Sequence, residues 1–203
     1  MSTGERHQER AVRALYTDET ITVYQAYSPA VADAALEAGT FVAPFKRDRM
    51  TWIKPSFLWM MYRSGWASKP SQERILAVEI RREGFEWALA HASLSSHSRS
   101  VHSDMEEWRR QKRLSPVRVQ WDPDRDLHLD RTDRKAVQVG LSGEAVERYV
   151  DAWVVGITDA TTLAHRIHAR VRDGETEEAR SLLPRETVYE LPQTLRSRIG
   201  ADA

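Results

Sequence analysis

Seventeen residues, MTWIKPSFLWMMYRSGW at positions 50–66, constrain the architecture of this chain more than any other stretch. They hold three of its seven tryptophans, Trp52, Trp59 and Trp66, and are too apolar to lie wholly at a surface. Proline cannot donate to a sheet ladder, so Pro55 closes a strand over 50–54 and starts a helix over 55–64, which Gly65 stops. A strand must therefore feed directly into a helix, with both packed against a core. Inside the run lie Lys54 and Arg63. A cation enclosed by aromatic rings costs several kcal/mol unless it meets an anion, which can be a ligand or an internal carboxylate. Lys54 also directly precedes the helix start, where free backbone amides favour phosphate. Trp52, Trp59 and Trp66 as walls, with Lys54 and Arg63 as charges, describe a dry site for an anionic, flat-ringed ligand. Plain core packing of the tryptophans is the alternative.

Around this run strands and helices interleave. Residues 21–27 alternate β-branched and aromatic side chains as a strand does. Ser28 and Pro29 then open an alanine-rich helix over 30–38, stopped by Gly39. Residues 73–82 have an apolar centre with charged ends, which predicts a central strand covered on both faces. Helices are predicted over 82–94, 104–113, 143–153, 160–172 and 175–183, and strands over 116–121 and 136–141. Residues 93–103, rich in serine and histidine, read as a loop, and 122–134 as an exposed hairpin arm. The pattern is α+β: small split sheets with flanking helices, in a single domain over 11–192. A disordered stretch over 1–10 and a tail over 193–203 flank it.

Thirty basic and thirty acidic residues cancel, so no global field recruits nucleic acid or an anionic membrane. The absence of cysteine removes disulfides, thiolate nucleophiles and thiolate metal centres. No run approaches the ~18 apolar residues of a bilayer span, and residues 1–10 lack a signal-peptide core, so a cytoplasmic protein without a membrane partner is expected. The seven histidines contain no HExxH pairing, and no metal is expected. Dinucleotide GxGxxG, phosphate-loop and nucleophile-elbow motifs are missing too.

Local features supply the remaining candidates. Lys46, Arg47 and Arg49 precede the tryptophan run and suit a diphosphate or a polynucleotide backbone, or form a solvated charged loop. Tyr24 and Ala26 fall on one face of the first strand, Gln25 and Tyr27 on the other, where an amide and a phenol can hold ribose hydroxyls. Gln138 stands between valines in a short strand, at a binding position or simply facing outward.

Tyr24-Gln25-Ala26-Tyr27-Ser28-Pro29, Phe45-Lys46-Arg47, the run at 50–66, Gln138-Val139-Gly140-Leu141 and Leu183-Pro184-Arg185-Glu186 together resemble a large domain family of unknown function across nearly the whole chain. More distantly, the strand over 23–27, the helix ending at Gly39, the strand entering the Lys54-Pro55-Ser56 helix and the strand over 75–80 are similar in order to the ADP-ribosyltransferase superfamily. That resemblance implies a cleft between two small sheets in which NAD is split between nicotinamide and ribose. It places Gln25 at the superfamily's first motif, Ser56 or Trp52 at its second, and Gln138 at its third as catalytic positions. The three carry side chains other than those usual in the superfamily. Tyr24, Tyr27, Trp52, Lys54, Trp59 and Arg63 would then bind NAD, and Lys46, Arg47 and Arg49 would contact phosphate or nucleic acid. The expectation is an NAD- or nucleotide-binding domain, possible as an ADP-ribosyltransferase-like enzyme acting on nucleic acid or protein. A non-catalytic module for single-stranded nucleic acid is the competing expectation, and a partner-binding domain the third.

Overall fold

The computed structural model describes residues 8–202. Most of the interval expected to be disordered, 1–7, lies outside that range, while the Glu9 and Arg10 backbones are tied down. Arg10 N donates to Asp202 Oδ2 at 2.8 Å, and Asp202 N donates to the Arg10 carbonyl at 2.9 Å.

Eight α-helices, a π-turn and nine strands occur among the described residues. In order they are β1 (Arg13–Ala14), β2 (Thr20–Tyr27), α1 (Pro29–Ala38), β3 (Thr51–Ile53), α2 (Phe57–Ser64), β4 (Arg74–Arg81), α3 (Arg82–Ala90), β5 (Ala92–Leu94) and α4 (Met105–Leu114). There follow β6 (Val117–Arg125), β7 (Arg131–Leu141), α5 (Glu144–Arg148), the π-turn Tyr149–Trp153, β8 (Val154–Asp159), α6 (Thr161–Arg172), α7 (Thr176–Ser181), β9 (Thr187–Val188) and α8 (Gln193–Ile199). One sheet has the order β2-β4-β8 and is antiparallel; a second runs β3-β7-β6-β5, with only β5 and β6 parallel; β1 and β9 form a small third pair. The fold is α+β with several small sheets.

Because successive strand residues face opposite ways, β2 and β4 feed two cores. Ile21, Val23, Leu76, Val78 and Ile80 enter the larger cluster, shared with α3, α5 and the second sheet, while Tyr24 and Ile75 enter a smaller one built with α2, α6 and α7. The continuous apolar run of β4 thus follows from helices on both faces of its sheet. Gly84 in α3 sits against the π-turn: a Cβ there would fall 2.3 Å from Trp153 Cγ. Gly65 ends α2 at φ 60°, a conformation that side chains with a Cβ resist.

The structure departs from several sequence expectations. Residues 154–159, just ahead of the helix expected over 160–172, form the edge strand β8, for which no strand was expected. The hairpin arm is not exposed at its tip: Leu127 is buried in the smaller cluster. The serine- and histidine-rich loop begins with β5 and buries His102. Residues 193–199, read as tail, form α8, and Ile199 joins the larger core. No helix of the described residues is long and apolar enough to cross a membrane.

Candidate functional site

The two larger sheets meet at a single isolated bridge, where Tyr24 N donates to the Lys54 carbonyl at 2.7 Å. Beside that bridge opens a cleft of ≈ 480 Å³. Its walls come from the end of β2, the start of α1, the 44–50 loop, β3, one side of α2 and residues 70–72. Four cations line it, Lys46, Arg49, Lys54 and Arg63, together with the rings of Tyr27, Phe45 and Trp52, and no carboxylate does so among the described residues. None of the four cations forms an ion pair among the described residues; Arg63 donates only to Gln72 Oε1, at 3.3 Å.

Gln25 is the centre of the cleft floor. β2 alternation turns it away from Tyr24, and it is 2 % exposed. Its Nε2 approaches Thr51 Oγ1 (2.8 Å), Tyr27 Oη (2.9 Å) and the Trp52 carbonyl (3.2 Å), while its Oε1 accepts from Tyr149 Oη at 2.6 Å. Tyr27 and Thr51 also share a hydroxyl contact at 3.0 Å. An amide nitrogen has two hydrogens, so three acceptors compete for them and the hydroxyls must orient around the winner. Burial pushes the Tyr27 phenol up to about 12, against the Thr51 and Gln25 hydrogen bonds, and raises Tyr149 well above the usual phenol range. Both phenols stay protonated at neutral pH and act as fixed donors or acceptors.

Lys54 reaches the cleft from the end of β3 and is 7 % exposed. Its Nζ donates to the Trp52 carbonyl at 3.2 Å, the same oxygen that Gln25 contacts, and lies 5.6 Å from the Trp59 ring centroid. Desolvation, joined by the nearby Arg63 charge and opposed by Asp122, lowers its pKa to about 7.

The sequence-derived candidates divide sharply. Gln25, Tyr27, Lys46, Arg49, Trp52, Lys54 and Arg63 meet at the cleft. Tyr24 does not: it faces the smaller core and packs edge-on against Phe57 at 5.3 Å. Trp59 is buried behind Lys54, and Trp66 stacks on His168 at 5.2 Å, so the three tryptophans of the run occupy three different environments. Arg47 is taken by a two-pronged ion pair with Asp151 at 2.7 and 2.8 Å, the internal carboxylate that a charged loop can always find. Ser56 caps α2, accepting from Trp59 N at 3.3 Å and donating to Asp124 Oδ1 at 3.1 Å. The α2 start expected to hold phosphate is filled by the chain itself, since Glu186 Oε1 accepts from Phe57 N at 2.7 Å. Gln138, opposite Gln120 in the β6–β7 register, donates to Asp122 Oδ2 and does not line the cleft. The positions assigned to catalysis by resemblance, Gln25, Ser56 and Gln138, therefore do not converge on one space.

Sequence reasoning missed Thr51, Tyr149 and the acidic row Asp122 and Asp124. Part of the row was readable, because Gln120 and Asp122 alternate on one face of β6 while Trp121 turns to the other, where its Nε1 donates to the Ile199 carbonyl at 2.7 Å; Asp124 sits at a register shift between Pro123 and Arg125. Tyr149 carries no such signal: it contacts Gln25 across 124 residues. Among the described residues no group of three or more His, Asp or Glu side chains is placed to hold a metal.

No curated protein and no solved structure matches the chain. A family model does, over residues 11–189, and by that match the chain belongs to the family described as a domain of unknown function, DUF4291.

Proposed function

We propose that the cleft between the sheets binds a nucleotide carrying a diphosphate, with NAD or ADP-ribose as the form that the distant resemblance to ADP-ribosyltransferases suggests. One observation carries this reading: four cations and three aromatic rings line the cleft without a carboxylate among its described lining residues. Uncompensated positive charge beside a low-dielectric wall favours an anionic guest. Arg49, Arg63 and Lys46, exposed at the rim, suit phosphate oxygens. Trp52 and Tyr27 offer faces for a base or nicotinamide, while Gln25 braces the floor beneath them through its bonds to Tyr27, Thr51 and Tyr149. Cleavage of the nicotinamide bond is the narrower form of the proposal. It would have to proceed without a carboxylate beside the sugar, since Gln138 faces Asp122 instead.

Calorimetric titration with NAD and ADP-ribose tests the binding. Arg63→Ala removes a side chain that is exposed and holds only Gln72, so the fold should persist. Loss of a charged hydrogen bond to phosphate should weaken affinity by roughly 1.5–3 kcal/mol, about ten- to a hundredfold in Kd. Unchanged affinity in this variant, or heat only with single-stranded RNA, rejects the reading. Release of nicotinamide from NAD would support the narrower form.

A further inference from the structure

The chain contains twenty-five arginines and five lysines, yet the one cation buried in the cleft is a lysine. An arginine keeps its charge under all ordinary conditions, whereas a lysine can shed its proton and expose a lone pair. For gripping phosphate at the rim, Arg49 and Arg63 already suffice. Lys54 has a different setting. It is 7 % exposed, meets no carboxylate within ion-pair distance among the described residues, and has one hydrogen-bond acceptor, the Trp52 carbonyl, leaving the rest of its nitrogen unengaged on the cleft side. Gln25 donates to that same carbonyl, so the amine is held against the fixed network of Tyr27, Thr51 and Tyr149 rather than on a mobile stem.

We propose that Lys54 is a nucleophilic amine that condenses with the aldehyde carbon of a phosphorylated aldehyde whose phosphate is held by Lys46, Arg49 and Arg63. The proposal rests on the anionic-ligand reading above and deepens it, because ADP-ribose is both a diphosphate nucleotide and, when its ribose opens, an aldehyde. The Lys54 Nζ lone pair forms the C–N bond as the carbonyl π pair moves to oxygen, which takes up a proton. The alkoxide's proton comes from the attacking nitrogen; the carbinolamine hydroxyl then takes a second proton from solvent and leaves as water while the nitrogen lone pair forms a double bond to carbon, giving a protonated imine that returns this proton on becoming neutral. Amine and aldehyde become imine and water, with no change of oxidation state. Burial, joined by the neighbouring Arg63 charge, lowers the amine's pKa to about 7, so a large share of it is in the attacking form near neutral pH.

The test is trapping on the full chain. Protein is incubated near neutral pH with ADP-ribose, with pyridoxal 5′-phosphate, or with NAD, which has no free aldehyde; borohydride is added, and modified peptides are located by mass spectrometry. Reduced adducts on Lys54 are expected with both aldehydes and not with NAD, with Lys112 and Lys135 outside the cleft unlabelled. Lys54→Arg should lose the adduct, and Lys54→Met, checked for folding by circular dichroism, should lose it too. If ADP-ribose binds by calorimetry but neither aldehyde labels Lys54, the nucleophile is overturned and the nucleotide reading survives. If pyridoxal 5′-phosphate labels Lys54 and ADP-ribose does not bind, the amine assignment stands and the nucleotide reading falls. Labelling spread evenly over all five lysines overturns the proposal.

Discussion

Replacing Lys54 with methionine should change the pH dependence of stability in a calculable way. The amine titrates near 10.5 when solvated and at about 7 in the fold. For a base whose native pKa is depressed, the unfolded chain binds the extra proton between those two values, so wild-type stability rises with pH across the window from about 7 to 10.5. Below the lower value the native ammonium carries its full burial penalty, roughly 5 kcal/mol at most; above the upper value the penalty is gone. Methionine fills a similar volume without charge and loses one hydrogen bond to the Trp52 carbonyl. The stability difference, variant minus wild type, should therefore fall by roughly 2.5 kcal/mol between about pH 7.5 and pH 9.5, close to the limit of about 1.4 kcal/mol per pH interval of one. Urea denaturation followed by tryptophan fluorescence at several pH values measures it, and titrations common to both proteins cancel. A difference that stays constant over this window would mean that Lys54 remains an ordinary ammonium in the native state. The account of the cleft floor as dry at Lys54 would then be wrong.

Two further outcomes follow from the site's buried polar groups. Tyr149→Phe removes the hydroxyl that Gln25 Oε1 accepts from and leaves a buried amide oxygen unpaired, so a loss of about 1–3 kcal/mol is expected in thermal or urea unfolding near neutral pH. Glu186, half-buried at the α2 start, has its carboxyl raised to about 8, chiefly by desolvation and also by Asp124, against the Phe57 N–H bond. A carboxyl with a raised native pKa loses stability as pH climbs from its ordinary 4.5 to about 8 and bears the full cost above that. Glu186→Gln should accordingly gain stability relative to wild type on going from about pH 5 to pH 9, as read by melting temperature; a flat difference would refute the assignment.

Much of the frame was readable from local signals. Ser28-Pro29 and Gly39 bound α1, Gly65 ends α2 while its start lies two residues beyond the expected Pro55, and the apolar run of β4 announced a strand covered twice. What escaped was set by partners far away in sequence. β8 and β9 are edge elements whose residues are partly exposed, so they show neither a continuous apolar run nor a clean alternation. The tryptophan run misled for the same reason: periodicity says that Trp52, Trp59 and Trp66 are close along the chain, but a strand, a helix and a left-handed turn aim them at the cleft, at Lys54 and at His168 respectively. Lys54 was legible because its charge conflicts with its neighbours. That α2's first amide is answered by Glu186 was not, since a helix start in sequence does not say whether the acceptor that satisfies it is a guest or the chain's own carboxyl group.

Residues 10–14 take most of their backbone partners from Thr187–Tyr189 and Asp202. During vectorial synthesis the strand at 13–14 waits for a partner made some 170 positions later, a closure expected to be slow because so much chain must be gathered first. Until then Val12 and Ala14, destined for the interior, stay open to chaperones and to neighbouring nascent chains.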